Sequence, residues 1–245
     1  MSRPMRITKF ISLLTYLFFI CCISRAQDVK IPSEFIETPI PKYRSDEASA
    51  LNWSRNEFSV KVRNGKLKID KLKNVNNKLE LPEGTLTAVD RGEWGGSLNF
   101  SKKDDRGNSV EIKSGNIKFI FKYQDKIYFL EGIAHLDYNG GALFELKVSD
   151  DKFTYNKIVD FEDAPGAFTV FKDMLLVVTH KNLFIINSDL KTEALFPNAF
   201  WRGLYPNSIA AIDENNVFLG IRSGIVQINL TSRSYRFFKF IGDKD

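Results

Sequence analysis

Apolar and polar residues alternate along this chain in short runs, and polar tight turns cut the runs apart. One stretch reads as four successive strands: Ala167–Lys172, Met174–Thr179, Leu183–Asn187 and Thr192–Phe196. Each run is rich in β-branched and aromatic residues, which suit a pleated, half-buried surface. Polar pairs such as Asp125-Lys126, Lys172-Asp173 and Asn215-Asn216 predict the turns between the first two strands of a unit. Beyond residue 26 no segment keeps a capped helical period over ten or more residues. The pattern therefore predicts an all-β chain.

The runs repeat. "QDKIYFLEG" with "GALFELKV", "KDMLLVVTH" with "KNLFIINSD" and "ENNVFLGIR" with "SGIVQINLT" superimpose as a turn, an apolar strand, a loop and a second strand. "PEGTLTAVDRGEW" with "GGSLNFSKK" belongs to the series, and "NEFSVKVRNGKLKIDKL" is a weaker copy. The second strands open at Gly65, Gly96, Gly141, Asn182 and Gly224, at spacings of 31, 45, 41 and 42 residues. The last three match the period of about 40 to 45 residues of a four-stranded propeller blade. In this repeat plan the chain resembles β-propeller proteins over residues 51–245. The resemblance implies a single propeller of about five four-stranded blades, the first one irregular. A two-sheet sandwich is the alternative architecture.

Composition changes the picture at the N-terminus. Arg3, Arg6 and Lys9 precede an apolar run from Phe10 to Ile23, and Ser24-Arg25-Ala26 supplies small residues before Gln27. That is the pattern of a secretory signal peptide over residues 1–26. The run is shorter than the roughly 18 residues that a membrane anchor needs. The expected mature chain is secreted or periplasmic, without stable membrane insertion. Residues 27–50, with Pro32, Pro39 and Pro41, read as an extended lead-in. Removing residues 1–26 takes away four of 35 basic residues, so 31 face 30 acidic ones, a net +1. A nucleic-acid partner loses its electrostatic support. Both cysteines, Cys21 and Cys22, leave with the same segment, which removes disulfides and thiol chemistry.

In a propeller, the loops between second and third strands share one end of the disc with the links between blades. Ligands most often bind on that face. It would gather Glu93 and Trp94; His135, Asp137 and Tyr138; His180 and Lys181; and Arg222 and Ser223. The links would add Asn116, then Asp163 with Pro165, then "NAFWRGLYPNS" with Trp201, Arg202 and Tyr205. Both histidines of the chain fall in equivalent loops of adjacent repeats. The bland reading of Trp94 and Trp201 is a wedge between blades, and that of Arg222 is a turn cap or ion pair.

Motif chemistry is sparse. There is no G-x-S-x-G elbow, P-loop or H-E-x-x-H, and no metal or cofactor site is expected. Two function classes remain. The favoured one is a binding module for a protein, peptide or glycan, with an envelope immunity or inhibitor protein as one form of it. The alternative is a hydrolase or lyase acting on a cell-envelope polymer, with Glu93, His135 or His180 in acid–base roles.

Overall fold

The computed structural model describes residues 29–72, 77–104, 107–149 and 152–242. The segment read as a signal peptide, with both cysteines, lies outside the described residues. The chain begins with β1 (Phe35–Thr38), α1 (Asp46–Trp53), β2 (Phe58–Arg63) and β3 (Lys66–Lys71). The second sheet holds β4 (Asn77–Leu81), β5 (Gly84–Asp90), β6 (Gly96–Lys102) and β7 (Ser109–Ser114). The third holds β8 (Ile117–Tyr123), β9 (Lys126–His135), β10 (Tyr138–Ser149) and β11 (Lys152–Phe161). The fourth holds β12 (Pro165–Phe171), β13 (Met174–Thr179), β14 (Leu183–Ile186) and β15 (Thr192–Phe196). The last holds β16 (Ser208–Asp213), β17 (Asn216–Ile221), β18 (Gly224–Asn229) and β19 (Ser234–Phe240), with β1 added beyond β19. All pairing is antiparallel between neighbours. Five sheets, not the two of a sandwich, follow one another along the chain. The fold is a five-bladed β-propeller.

The core lies between blades rather than inside one layer. Leu86, Leu98 and Phe100 of the second blade meet Ile117, Phe129 and Phe144 of the third. Leu130 and Leu143 of the third meet Leu175 and Val177 of the fourth. Leu176 and Val178 meet Leu219, Val226 and Phe237 of the last blade. Phe218, Ile225 and Phe238 then pack on Phe58 and Val60 of the first. The second strand of a blade has neighbours on both faces, so β17 is buried at every position and reads as a continuous apolar run. Each fully buried Leu, Phe or Val contributes about 1.5–3 kcal/mol of transfer free energy.

Among the described residues the irregular first blade has two strands, β2 and β3. Its turn, Asn64-Gly65, joins first and second strands, with both residues at positive φ (51° and 69°) as a two-residue type I′ hairpin requires. β2 starts beside Ser208, whose hydroxyl accepts a hydrogen bond from the Val60 N–H at 2.8 Å, and runs the same way as β16. Gly65 therefore lies at the opposite end of the disc from Gly96, Gly141, Asn182 and Gly224. The 31-residue spacing reflects this missing strand pair. The turns of the third and last blades also sit one residue earlier than their polar pairs suggest, at Gln124-Asp125 and Glu214-Asn215.

The lead-in is not simply extended. β1 covers the exposed edge of β19, where Phe35, Phe58 and Phe240 form an aromatic knot with centroids 4.7–5.4 Å apart. α1 then crosses the loop end of the last blade. Ser45 caps it by accepting the Ala48 N–H at 3.2 Å, and Asp46 and Glu47 sit favourably at its positive end. Only Leu51 of this helix is buried.

Candidate functional site

At the loop end of the disc, the "GEWGG" stretch folds as a single 3-10 turn over Gly92–Trp94. Gly92 and Gly95 flank it at φ 58° and 77°, values that an L side chain resists. Asn116, in the link between second and third blades, fastens the turn by donating from Nδ2 to the Gly92 carbonyl at 2.9 Å. Glu93 and Trp94 are thereby turned outward. Glu93 Oε2 stands 3.3 Å from His135 Nε2 on the neighbouring blade. His135 and Tyr138 pair at the end of the next hairpin, leaving Leu136-Asp137 as its tip. Leu136 is 90% exposed at φ 51°, and Trp94 is 80% exposed. The two-residue hairpin turn requires the positive φ at Leu136, a position usually given to Gly, Asn or Asp rather than to a large apolar side chain standing in water. Tyr138 also borders a groove of about 240 Å³ with Glu131, Lys157 and Asp160.

A second group forms around the last two blades. His180 packs edge-on to Tyr205, with ring centroids 6.4 Å apart. The Arg222 guanidinium lies 4.0 Å from the centre of the Tyr205 ring. Arg222 also donates to Glu57 Oε1 from Nε at 2.9 Å and to the Asn52 carbonyl at 2.7 Å. It is thus an anchor for the chain around α1 as much as a surface group. Arg202 stacks on Tyr43, 4.9 Å from the ring centre. Burial holds the His180 imidazole below its ordinary range. The charge of Asp163 opposes that effect, and those of Arg202 and Lys181 add to it.

Five of the residues named for this face are buried: Asn116, Asp163, Pro165, Trp201 and Ser223. Asp163 is fully buried, and its carboxylate accepts the Lys181 N–H at 2.7 Å and Asn182 Nδ2 at 2.6 Å. Asn182 passes the connection on by accepting the Asn198 N–H at 2.9 Å. The asparagine that stands where the other full repeats have glycine is therefore a buried joint. Trp201 is also fully buried, packed on Tyr235 at 5.6 Å within the core of the fourth and last blades. Its indole N–H has no hydrogen-bond partner among the described residues. The wedge reading applies to Trp201, while Trp94 stands in solvent.

The centre of the disc holds a cavity of about 640 Å³ whose wall includes Leu72, Asn77, Asp90, Lys118, Phe119 and Asn207. Lys118 forms an ion pair with Asp90, and its carbonyl accepts Asn77 Nδ2 at 2.6 Å. Apart from Asn207, which lies in the link "NAFWRGLYPNS", none of these was nominated from the sequence. They open inner strands or close second strands, and alternation alone assigns such residues to the sheet. Tyr43, Arg44, Asn52 and Trp53 were missed as well, because the lead-in and the helix after it carry no repeat to place them. Among the described residues no group of three or more His, Cys, Asp or Glu is placed to hold a metal ion. Nor is any helix there long and apolar enough to cross a membrane.

No family model and no curated protein matches the chain. Among solved structures it is similar to the tricorn protease, at 11% identity and a TM-score of 0.41, over 75% of this chain and 26% of that one. It is also similar to streptogramin B lyase, at 11% identity and 0.39, over 80% and 55% of the two chains. A third is the computationally designed Ika8 protein, at 10% identity and 0.30, over 77% and 69%. The chain thus spans about a quarter of the first and just over half of the second. No residue role passes from them to this protein.

Proposed function

We propose that this protein is an exported binding module that grips a protein, peptide or glycan through the loop end of its propeller. In its narrower form it is an envelope immunity or inhibitor protein that occludes the working surface of its partner. One observation carries the reading. Among the described residues, both exposed tryptophans, Trp53 and Trp94, and three of the four exposed tyrosines, Tyr43, Tyr138 and Tyr205, belong to this one end. Singly scattered exposed apolar residues need no explanation, whereas aromatics gathered on one surface mark an interaction site, and Trp and Tyr dominate the residues that carry binding energy at interfaces. The exposed Leu136 at the tip of the next hairpin adds an apolar knob beside Trp94's blade.

The hydrolase or lyase reading has less to stand on. Its one histidine–carboxylate contact, His135 with Glu93, keeps 42% and 48% of the two side chains in solvent. Acid–base catalysis draws its strength from groups held in water-poor surroundings.

A photo-crosslinking residue placed at Trp94, and in a second strain at Lys191 on the opposite end, tests the binding reading in the intact cell. A discrete crosslinked species from position 94 and none from 191 is expected. Equal crosslinking from both ends, or none from position 94, would refute it.

A further inference from the structure

We propose that the cleft between α1 and the loop end of the fourth blade binds an oxyanion, a carboxylate or phosphate group of the ligand, clasped by Arg44 and Arg202. The cleft measures about 270 Å³, and its wall includes Tyr43, Arg44, Ser49, Asn52, His180 and Arg202. No aspartate or glutamate lines it. Both guanidinium groups lie over the same Tyr43 ring, Arg44 at 5.3 Å and Arg202 at 4.9 Å from its centre. The two cations are therefore about 10 Å apart at most, within one screening length of each other.

Three arginines outside this cleft are neutralised on the spot, and what sets Arg44 and Arg202 apart from the rest is that they share one concavity. Arg222 pairs with Glu57, Arg236 with Glu37 and Arg233 with Glu193. Arg44 and Arg202 have no carboxylate partner among the described residues, although both are gathered at one concavity. Two guanidiniums without carboxylate partners beside a partly enclosed space raise its positive potential, and an anion bound in the cleft offsets their repulsion. Their planar donor forks suit a carboxylate or phosphate, and Tyr43, Ser49 and Asn52 add neutral donors.

Asp163 lies below His180, but both of its oxygens are engaged by Lys181 N and Asn182 Nδ2. Asp46 and Glu47 sit in the first turn of α1 and do not line the cleft. Lys181 and Arg202 both push the His180 imidazole toward its neutral form. A bound anion acts in the opposite sense, so His180 is a built-in reporter of occupancy. This inference rests on the binding reading for its biological meaning, because it names the chemical group by which a ligand would be anchored.

The test uses the two histidines of the chain. Their ring signals are followed by NMR through a pH titration of the mature protein with sodium phosphate, and separately with sodium acetate, at ionic strength held constant with chloride. The His180 midpoint should rise with the anion, and at fixed pH the anion should move the His180 signals and not those of His135. A response to phosphate alone identifies a phosphate group, and a response to acetate identifies a carboxylate. Arg44→Gln and Arg202→Gln should each weaken the effect by roughly tenfold or more, the loss expected for a charged hydrogen bond. Lys191→Gln, at the far end, should not. A His180 midpoint indifferent to both anions, or a response that survives both arginine substitutions, would overturn the proposal. Either outcome leaves the Trp94 crosslinking experiment to judge the wider binding reading on its own.

Discussion

The tryptophans offer a sharp test of how the blades are joined, because one residue type occupies two opposite environments. Trp201 has no exposed surface, and Trp94 keeps 80% of its own. Truncating Trp201 to alanine empties a full indole from the seam between the fourth and last blades, where it touches Phe200 and Tyr235. Deleting a buried large aromatic costs about 3–5 kcal/mol. At roughly 2–4 °C per kcal/mol for a domain of this size, the melting temperature should fall by about 6–20 °C. Trp201→Phe should be milder than cavity size alone suggests, because the unpartnered indole N–H leaves with it. Trp94→Ala should stay within about 0.5 kcal/mol of the parent, as surface changes usually do. Urea unfolding followed by fluorescence reads all three variants. The chain has three tryptophans, of which Trp53 and Trp94 are exposed, so the blue-shifted emission should belong to Trp201 and vanish in its variants. A Trp94→Ala protein destabilised by several kcal/mol, or a Trp201→Ala protein as stable as the parent, would refute this division of roles.

Asp163→Ala should cost about 2–4 kcal/mol in urea unfolding, because it strands the buried Lys181 N–H and Asn182 amide donors, whereas Lys181→Ala should cost far less. For His180 the sign follows from its depressed titration. Its neutral form is fully tolerated above the unfolded value of 6.5, and stability is lost as pH falls toward the lower folded value. His180→Gln should therefore lose stability less steeply than the parent between neutral and mildly acid pH, measured by melting at fixed ionic strength. Gly220→Ala should loosen the junction of the last and first blades, since a Cβ there would run into the Phe58 carbonyl oxygen and the Ser208 hydroxyl. An unchanged melting temperature in that variant would argue against the close approach of β17 to β2.

Much of the blade plan could be read directly. The four strands of the fourth blade end within a residue or two of where alternation puts them, because pleat and turn chemistry are local. The helix was not legible by period, since an eight-residue helix that buries only Leu51 needs no apolar stripe. Its one available signal was Ser45 followed by Asp46 and Glu47, the cap and charge pattern of a helix start. The sharing of one end by Glu93 and His135 followed from strand parity, which the repeat count supplies. The burial of Asp163 and Trp201 did not follow, because their sequence neighbours are ordinary loop residues.

What this sequence determined by itself is whatever repeats or acts over a few residues: all-β structure, the blade period, the missing regularity of the first unit, and which loops share an end. What only the tertiary structure decided depends on partners far along the chain. β1 completes the edge of a blade about 200 residues away, and Arg222 meets Glu57 at a separation of 165 residues. The same distance effect buries one tryptophan and exposes another, and leaves Arg44 and Arg202 together without a counter-charge. Local propensity contains no term for these meetings. They are set when the blades pack face to face and the lead-in returns across the loop end of the disc.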